Sequence, residues 1–518
     1  MRSLFEELGW RQMQQYQFAA FQAVVADQIG GDTLHHTCSI SFGSSSKSIQ
    51  AKIKQAQDLS KMRWLIIDEI SQVGAELLSQ CDTNIRSAVQ SAGTYKHRDD
   101  GTPRPWGGLN VVYVGDFLQL PPTQATPLFT LPRSLLNIGG VLNPRVQHGL
   151  NLFWEDTNGI ILFEQQMRCV DEWWLEVLNE CRHGCMSYNT WAFLHGKPTS
   201  VSGKWLDGTV QCGTTAGPQC EKGCIQQHGE CVECQEEHVQ RCRVYKAGIH
   251  GSSDKRPAHK HFRHAVSVVP NNDLKMEICK RGAAQWARDH GQPILWCPAV
   301  DRVTSSCSLL EDKSLRSKKV TWLSKHDKQC GGLYGMLLLV RGMPVYLTNH
   351  VDRSDKNLLH GRSGILLGWE LAAKEPMPPR NKDHFLSYLP KCVYVQFEDE
   401  KEGLKVLPAW SVAGLGNGVY AIRPKPEYWY LDAKAAYSHQ KISRHQLPIA
   451  PDFGRTAYSM QGFTLPAGKI DLNLGVNADA VTAYVAMSRF KTANDLIILQ
   501  PLTYRRFSRG CLGSQLSF

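Results

Sequence analysis

WLIIDEISQVGAELLSQ, Trp64 to Gln80, followed by VVYVGDFLQLPP, Val111 to Pro122, decides the fold of this chain. An apolar run closing on Asp68-Glu69 has the form of a buried parallel strand, which reads as continuously hydrophobic because helices cover both of its faces. Its carboxyl end is where open α/β sheets bind ligands. Two carboxylates delivered there can hold Mg²⁺ and position an attacking water. Working outward, Ala75 to Val89 carries apolar residues at helical spacing (Leu77, Leu78, Ile85, Val89), and Asn110 to Val114 reads as a second strand. Between them SAGTYKHRDDGTPRPWGG is a loop by composition. Strand, helix, strand in this order predicts an α/β fold with a parallel sheet.

Composition sets the outer limits. A chain of 518 residues with 42% hydrophobic content has material for several cores. The formal net charge of +10 is spread along the chain, which suits either a surface that tracks phosphates or a mildly basic globular protein. No run approaches the roughly 20 apolar residues of a membrane helix, and the acidic SLFEELGW after Met1-Arg2 is unlike a signal core. A soluble intracellular protein with no membrane partner is expected.

Further along, Leu162 to Arg182 has helical spacing around Trp173-Trp174. Residues 201–265 break the texture with six of the chain's 17 cysteines between Cys212 and Cys242, then the basic HGSSDKRPAHKHFRHA. Strand-like runs return at Leu337 to Thr348, Gly364 to Trp369 and Lys391 to Phe397, at a spacing that predicts a small barrel. From Leu447 the α/β texture resumes, with a helix at Asp479 to Met487 and a strand at Asp495 to Gln500.

Six stretches stand in order: IGGDTLHHT (Ile29 to Thr37), LIIDEIS (Leu65 to Ser71), VGDFLQLPP (Val114 to Pro122), FEQQMRCVDEWWLEVLNECRHG (Phe163 to Gly184), TAYSMQGFTL (Thr456 to Leu465) and TAYVAMSRFK (Thr482 to Lys491). The series resembles the Pif (petite integration frequency) DNA helicases of the RecD-like branch of helicase superfamily one. The resemblance implies two RecA-like P-loop NTPase motor domains closing on ATP, with 5′ to 3′ movement on single-stranded DNA. It implies a first motor domain over residues 1–160 and a second over 161–200, 266–330 and 446–518. A Cys/His-rich insertion would occupy 201–265 and an SH3-like β insertion 331–445.

It also implies roles, each of which has a physical rationale. Asp68 would hold Mg²⁺ and Glu69 would polarise the attacking water, while Gln119 would sense the γ-phosphate. Arg489 and Arg168 would stabilise charge on that phosphate, as guanidinium groups keep their proton at working pH. Gln461, Gly462 and Thr464 resemble the loop that couples nucleotide to DNA, although Tyr458 and Ser459 replace the usual His-Lys. Thr33 and His35 match the family's single-strand contact, with Gly30 and Gly31 permitting close backbone approach; a helix cap beside a core histidine is the other reading. His360-Gly361 stands where Asn-Gly is common.

The cysteines are read by spacing alone. Cys231-x2-Cys234 is a metal knuckle, and thiolates this close converge on tetrahedral Zn²⁺ with little loop entropy to overcome. Cys212, Cys220, Cys231 and Cys234 are the expected ligand set, with Cys224, Cys242, His228 and His238 as alternatives.

No G-x-x-x-x-G-K-[ST] occurs in the 518 residues. GSSSKS at Gly43 to Ser48 lacks the second Gly-Lys pair and follows the TLHH stretch, the wrong order for that loop. SLFEELGW resembles the end of the helix after the loop, so the chain is expected to start just past it, either truncated or degenerate. The implied function is an ATP-dependent DNA helicase, here a fragment, acting on single strands and junctions in DNA repair, recombination or telomere maintenance. Its address would be nuclear, or else mitochondrial. A non-catalytic single-strand binder and a piece of a rolling-circle transposon helicase are the alternatives.

Overall fold

The computed structural model describes residues 1–40, 61–89, 97–131, 143–194, 262–303, 319–354, 356–379, 381–401, 404–431, 441–472, 480–500, 503–508 and 510. GSSSKS and the expected zinc ligands Cys212, Cys220, Cys231 and Cys234 lie outside the described residues. None of the described helices is long and apolar enough to cross a membrane.

Two four-stranded parallel sheets organise the chain. In the first, β1 (Tyr16–Ala20), β2 (Asp32–Thr33), β3 (Trp64–Asp68) and β4 (Asn110–Tyr113) lie in the order β2-β1-β3-β4. The apolar run of β3 is explained by its position. Leu65 and Ile67 face a core shared with the Ala75–Val89 and Pro144–Trp154 helices, while Ile66 points to the other face, against Phe5 and Tyr16.

The second sheet combines distant segments: β5 (Val266–Val269), β6 (Gly454–Thr456), β7 (Gly468–Asp471) and β8 (Leu496–Gln500), in the order β6-β5-β7-β8. Its core gathers Trp174, Val177 and Leu178 of the Glu172–Arg182 helix with Val485 and Met487 of the Ala480–Met487 helix.

Between β5 and β6 the chain leaves the parallel sheet. Val419–Ile422, Cys392–Phe397, Ser363–Glu370, Pro344–Leu347 and Ile449–Pro451 form a five-stranded antiparallel sheet in that order. Two smaller three-stranded sheets flank it. One of them is held from within by Arg444, fully buried, whose guanidinium donates to both Asp301 oxygens at 2.8 Å and to the Trp322 carbonyl at 2.8 Å.

Two expectations from spacing are corrected. Leu162 to Arg182 is helical only over Glu172–Arg182, where the Asp171 carboxylate accepts from the Trp174 amide at 3.1 Å and caps the helix. The residues before it run without helix, tethered by Val170 N donating to the Lys491 carbonyl at 3.2 Å and Arg168 donating to the Ser488 carbonyl at 3.1 Å. Long-range tethers override local periodicity here. Leu337 to Thr348 is not one strand either. It divides at Arg341-Gly342 into Met336–Leu339, which pairs with Leu295–Pro298, and Pro344–Leu347, which joins the five-stranded sheet.

The first unit's helices meet at Gly149, where a Cβ would lie 1.9 Å from the Ala75 carbonyl oxygen. Gly149→Ala should therefore force the Ala75–Val89 and Pro144–Trp154 helices apart and cost about 2 kcal/mol, as overpacking does. Urea unfolding followed by fluorescence measures this; an unchanged midpoint would refute the close approach.

Candidate active site

The carboxyl end of β3 faces residues of the second sheet. Asp68 closes the strand, and its Oδ1 accepts from the Glu69 amide at 2.9 Å. Glu69 then turns the chain sharply, with a left-handed backbone (φ 51°, ψ 44°) that a non-glycine residue adopts only where the surroundings enforce it. Enforcement is visible: Ile70 N donates to the Val114 carbonyl at 3.0 Å, joining this turn to the loop after β4.

The second unit approaches Glu69 through Gln461. This glutamine is fully buried and donates from Nε2 to Glu69 Oε2 at 2.8 Å and to Ser71 Oγ at 3.4 Å. Gly462 beside it has φ +84°, and a Cβ there would lie 2.9 Å from Val25 of the first unit, so only glycine fits without displacing a neighbour. Gln22 adds a further bridge, donating to Gln72 Oε1 at 2.9 Å and to the Tyr458 carbonyl at 2.8 Å.

Electrostatics follow from this burial. Desolvation raises the Glu69 carboxyl above its usual range, the Gln461 hydrogen bond and Arg489 pull it down, and Asp68 and Asp116 push it up. Asp68 is raised too, again chiefly by desolvation. Arg489 is almost wholly buried; desolvation and the nearby Arg168 charge bring its guanidinium down to about 10, still protonated at neutral pH. Its Nε donates to the Val485 carbonyl at 2.8 Å and an Nη to Ser488 Oγ at 2.7 Å. Arg168 is lowered by desolvation and supported by Tyr484 and Glu69.

Gln119 stands next to this group through Asp116, whose Oδ2 accepts from Gln119 Nε2 at 3.2 Å. Asp116 Oδ1 accepts from Arg182 at 2.9 Å, an ion pair between the loop after β4 and the last turn of the Glu172–Arg182 helix. Sequence reading did not single out Asp116, Arg182, Gln22 or Gln72. The first two lie inside quoted motifs, but a pairing over 66 positions leaves no local periodicity to detect.

The structure thus brings Asp68, Glu69, Gln119, Arg168, Gln461, Gly462 and Arg489 into one interface. Gln119 Oε1, Gln461 Oε1 and Gln72 Nε2 are buried there without hydrogen-bond partners, polar atoms that a bound ligand or water would satisfy. Among the described residues no group of three or more His, Cys, Asp or Glu gathers for a metal.

Thr33 caps a short helix, its Oγ1 accepting from the His36 amide at 3.3 Å, and the His35 ring lies 5.7 Å from Phe21. Burial holds His35 below the ordinary histidine range. The close approach at Gly31 is to the Phe18 carbonyl of β1, 2.3 Å from a Cβ position, so it serves packing of the sheet. Thr464 is exposed. Ser459, at one of the positions that depart from the family pattern, closes a capping box: Thr456 N donates to its Oγ at 3.1 Å and that hydroxyl donates to the Thr456 carbonyl at 2.8 Å.

Comparison with known proteins agrees with this picture. Residues 11–128 match the family described as PIF1-like helicase. ATP-dependent DNA helicase PIF1 of Danio rerio is 38% identical over 109 residues, 20% of this chain and 15% of that protein. ATP-dependent DNA helicase Pif1 of Bdellovibrio bacteriovorus is 26% identical over 201 residues, 38% of this chain and 39% of that protein. The chain therefore matches well under two thirds of the length of either relative. Among solved structures, Pif1 helicase from Candida albicans has a TM-score of 0.53 at 17% identity, covering 100% of this chain and 90% of that one. Bacteroides Pif1 bound to ssDNA also has 0.53, at 16% identity, covering 98% and 86%. The fold is α/β, like that of these solved Pif1 structures, and the resemblance to Pif-type helicases rests on motif order, a matched segment and fold together.

Burial opposes ionisation of Glu69 more than its partners favour it, so the stability this carboxyl contributes is present below the ordinary glutamate value of 4.5 and is lost as pH rises through the raised one. Glu69→Gln keeps an acceptor for Gln461 and carries no charge. The variant should unfold at higher urea than the wild type at pH 7, with the difference vanishing near pH 4; a pH-independent difference would contradict the buried-carboxylate account.

Proposed function

We propose that this chain is the motor portion of an ATP-dependent DNA helicase of Pif type, coupling ATP hydrolysis to 5′ to 3′ movement on single-stranded DNA. The observation that carries the reading is the contact between units at Glu69: a half-buried carboxylate just past a strand end, bonded by Gln461 of the second unit and lying in the field of Arg489 and Arg168. Closing a site between two α/β units is how hydrolysis becomes coupled to movement, since whatever alters the site alters the relation of the units.

The residues divide the chemistry as follows. Asp68 holds Mg²⁺, which when bound neutralises phosphate charge. Glu69 accepts a proton from the attacking water, and its raised affinity for protons makes it a stronger base than an exposed glutamate. Gln119 contacts the γ-phosphate and reports on it through Asp116. Arg489 and Arg168 sit beside the same carboxylate, where two fixed positive charges stabilise the charge that develops on the phosphate. Gln461 and Gly462 link that event to Thr464, while Thr33 and His35 contact the single strand from the first unit.

A second reading, a single-strand binder without hydrolysis, is favoured by one feature of the 518 residues: they contain no G-x-x-x-x-G-K-[ST] to supply backbone amides and a lysine to the β and γ phosphates. The segment with Cys212, Cys220, Cys231 and Cys234 is proposed as a Zn²⁺ site whose metal would supply folding energy. Roles in repair, recombination or telomere maintenance, on junction DNA in the nucleus, follow from the family alone.

ATP hydrolysis with Mg²⁺, measured with and without an oligo(dT) strand, separates the two readings. The helicase reading expects strand-stimulated hydrolysis that falls at least about 100-fold in Glu69→Gln while strand affinity persists. Strand binding without hydrolysis by the wild-type chain would establish the binder.

A further inference from the structure

A second polar cluster lies where the five-stranded sheet meets the first unit. The connection between Pro344–Leu347 and Ser363–Glu370 carries His350, Arg353, His360 and Gly361. A Cβ at Gly361 would lie 3.0 Å from Val24, so this connection touches the Ala23–Gln28 helix. Lys328 approaches from another segment, its Nζ 3.4 Å from His360 Nε2, while the His360 amide donates to His350 Nδ1 at 3.2 Å.

Those contacts settle the protons. An ammonium can only donate, so His360 Nε2 accepts and its proton sits on Nδ1; His350 Nδ1 accepts, so its proton sits on Nε2. Both rings are neutral donors. Desolvation, followed by the charges of Lys328 and Arg455, holds His360 down to about 3; desolvation, followed by Arg353 and Lys425, holds His350 down to about 4.

Four carboxylates around the cluster are committed elsewhere, while Asp27 of the adjoining Ala23–Gln28 helix is pushed up chiefly by burial and lies in the field of Arg362. Asp327 accepts from Lys275 on both oxygens at 2.7 and 2.9 Å, and Asp452 accepts from Arg455 at 2.7 and 2.9 Å. Asp32 accepts from the His36 ring and from the Thr33 amide at 2.6 Å. Glu427 pairs with Lys425 at 2.8 Å and accepts from Asn349 at 3.1 Å. Among these groups positive charge is in excess, since each of the four carboxylates already accepts from a donor.

We propose that Lys328, His350 and His360 form a seat for a backbone phosphate of single-stranded DNA, at which binding is coupled to uptake of one proton from solvent. The proposal rests on the DNA reading given above, since Asp32, which acts on His350, adjoins Thr33 and His35. A phosphodiester draws the Lys328 ammonium to its oxygens and frees His360 Nε2. Its negative charge, placed beside His360 Nε2, favours the imidazolium against the desolvation and the neighbouring cations that hold the ring neutral, so Nε2 takes the proton and the ring becomes a two-sided donor. Asparagine, the commoner residue at this position in the resembled family, has no such proton to gain.

Anisotropy of a fluorescent oligo(dT) at constant ionic strength between pH 8.0 and 5.5 tests this in the full chain. Wild-type affinity should rise as pH falls, approaching about tenfold per unit where one proton is taken up, and His360→Asn should flatten most of that rise. Lys328→Met should weaken binding at every pH and reduce the slope of log affinity against log salt by about one. In histidine-labelled protein, the His360 ring should titrate at higher pH with oligo(dT) than without it. Equal pH dependence in wild type and His360→Asn overturns the seat alone, and failure of the wild type to bind at any pH overturns the DNA reading beneath it. An equal His360 shift with inorganic phosphate assigns the seat to free phosphate and overturns its assignment to DNA.

Discussion

One half-buried negative charge constrains the rest of this structure. A carboxylate at Glu69 has little solvent around it, and an isolated charge in such surroundings would neutralise itself by taking up a proton. Its balance comes from the other half of the molecule: the Gln461 amide bonds it directly, and the Arg489 guanidinium lowers its proton affinity from nearby. The second unit's helix is in turn fixed by Arg489 donating to the Val485 carbonyl, and its loop by Gly462 packing against Val25 of the first unit. Keeping Glu69 ionised therefore depends on both units being closed on one another, which under the proposed function would couple hydrolysis to movement.

The same logic explains why polar residues cluster where two units meet. Asp116 alone would repel Glu69, as its effect on that carboxyl shows, and Arg182 supplies the opposing charge from the second unit. At the junction around His350 and His360 the excess has the opposite sign, with Asp327, Asp452 and Glu427 each paired to a cation. A negative site for Mg²⁺ and a positive site for a phosphate backbone are the two complementary environments that the proposed function needs.

Much of this was legible in the sequence because it depends on local pattern. The strand Trp64–Asp68 and the helix Ala75–Val89 fall on the residues that apolar spacing indicated, and the order of strands and helices gave the parallel class. What was not legible depends on distance along the chain. Phe163 to Val170 has helical spacing, yet tethers to Ser488 and Lys491 keep it out of the helix. Leu337 to Thr348 reads as one apolar strand, yet its halves join different sheets. Thr33 shows the limit at a single side chain: a hydroxyl beside a short helix can cap it and can also donate to a phosphate, and of the two only the bond from the His36 amide is seen here.

The central claim is that the two parallel-sheet units close on one another through specific charge pairs. A double-mutant cycle on Asp116→Asn and Arg182→Met, read as urea unfolding free energies at pH 7, measures that contact most directly. The account predicts that the double variant is more stable than the sum of the single losses implies, with a coupling of about 1 kcal/mol for this partly exposed pair. Strict additivity would mean that the loop after β4 and the Glu172–Arg182 helix do not meet in solution, and would contradict the closed arrangement.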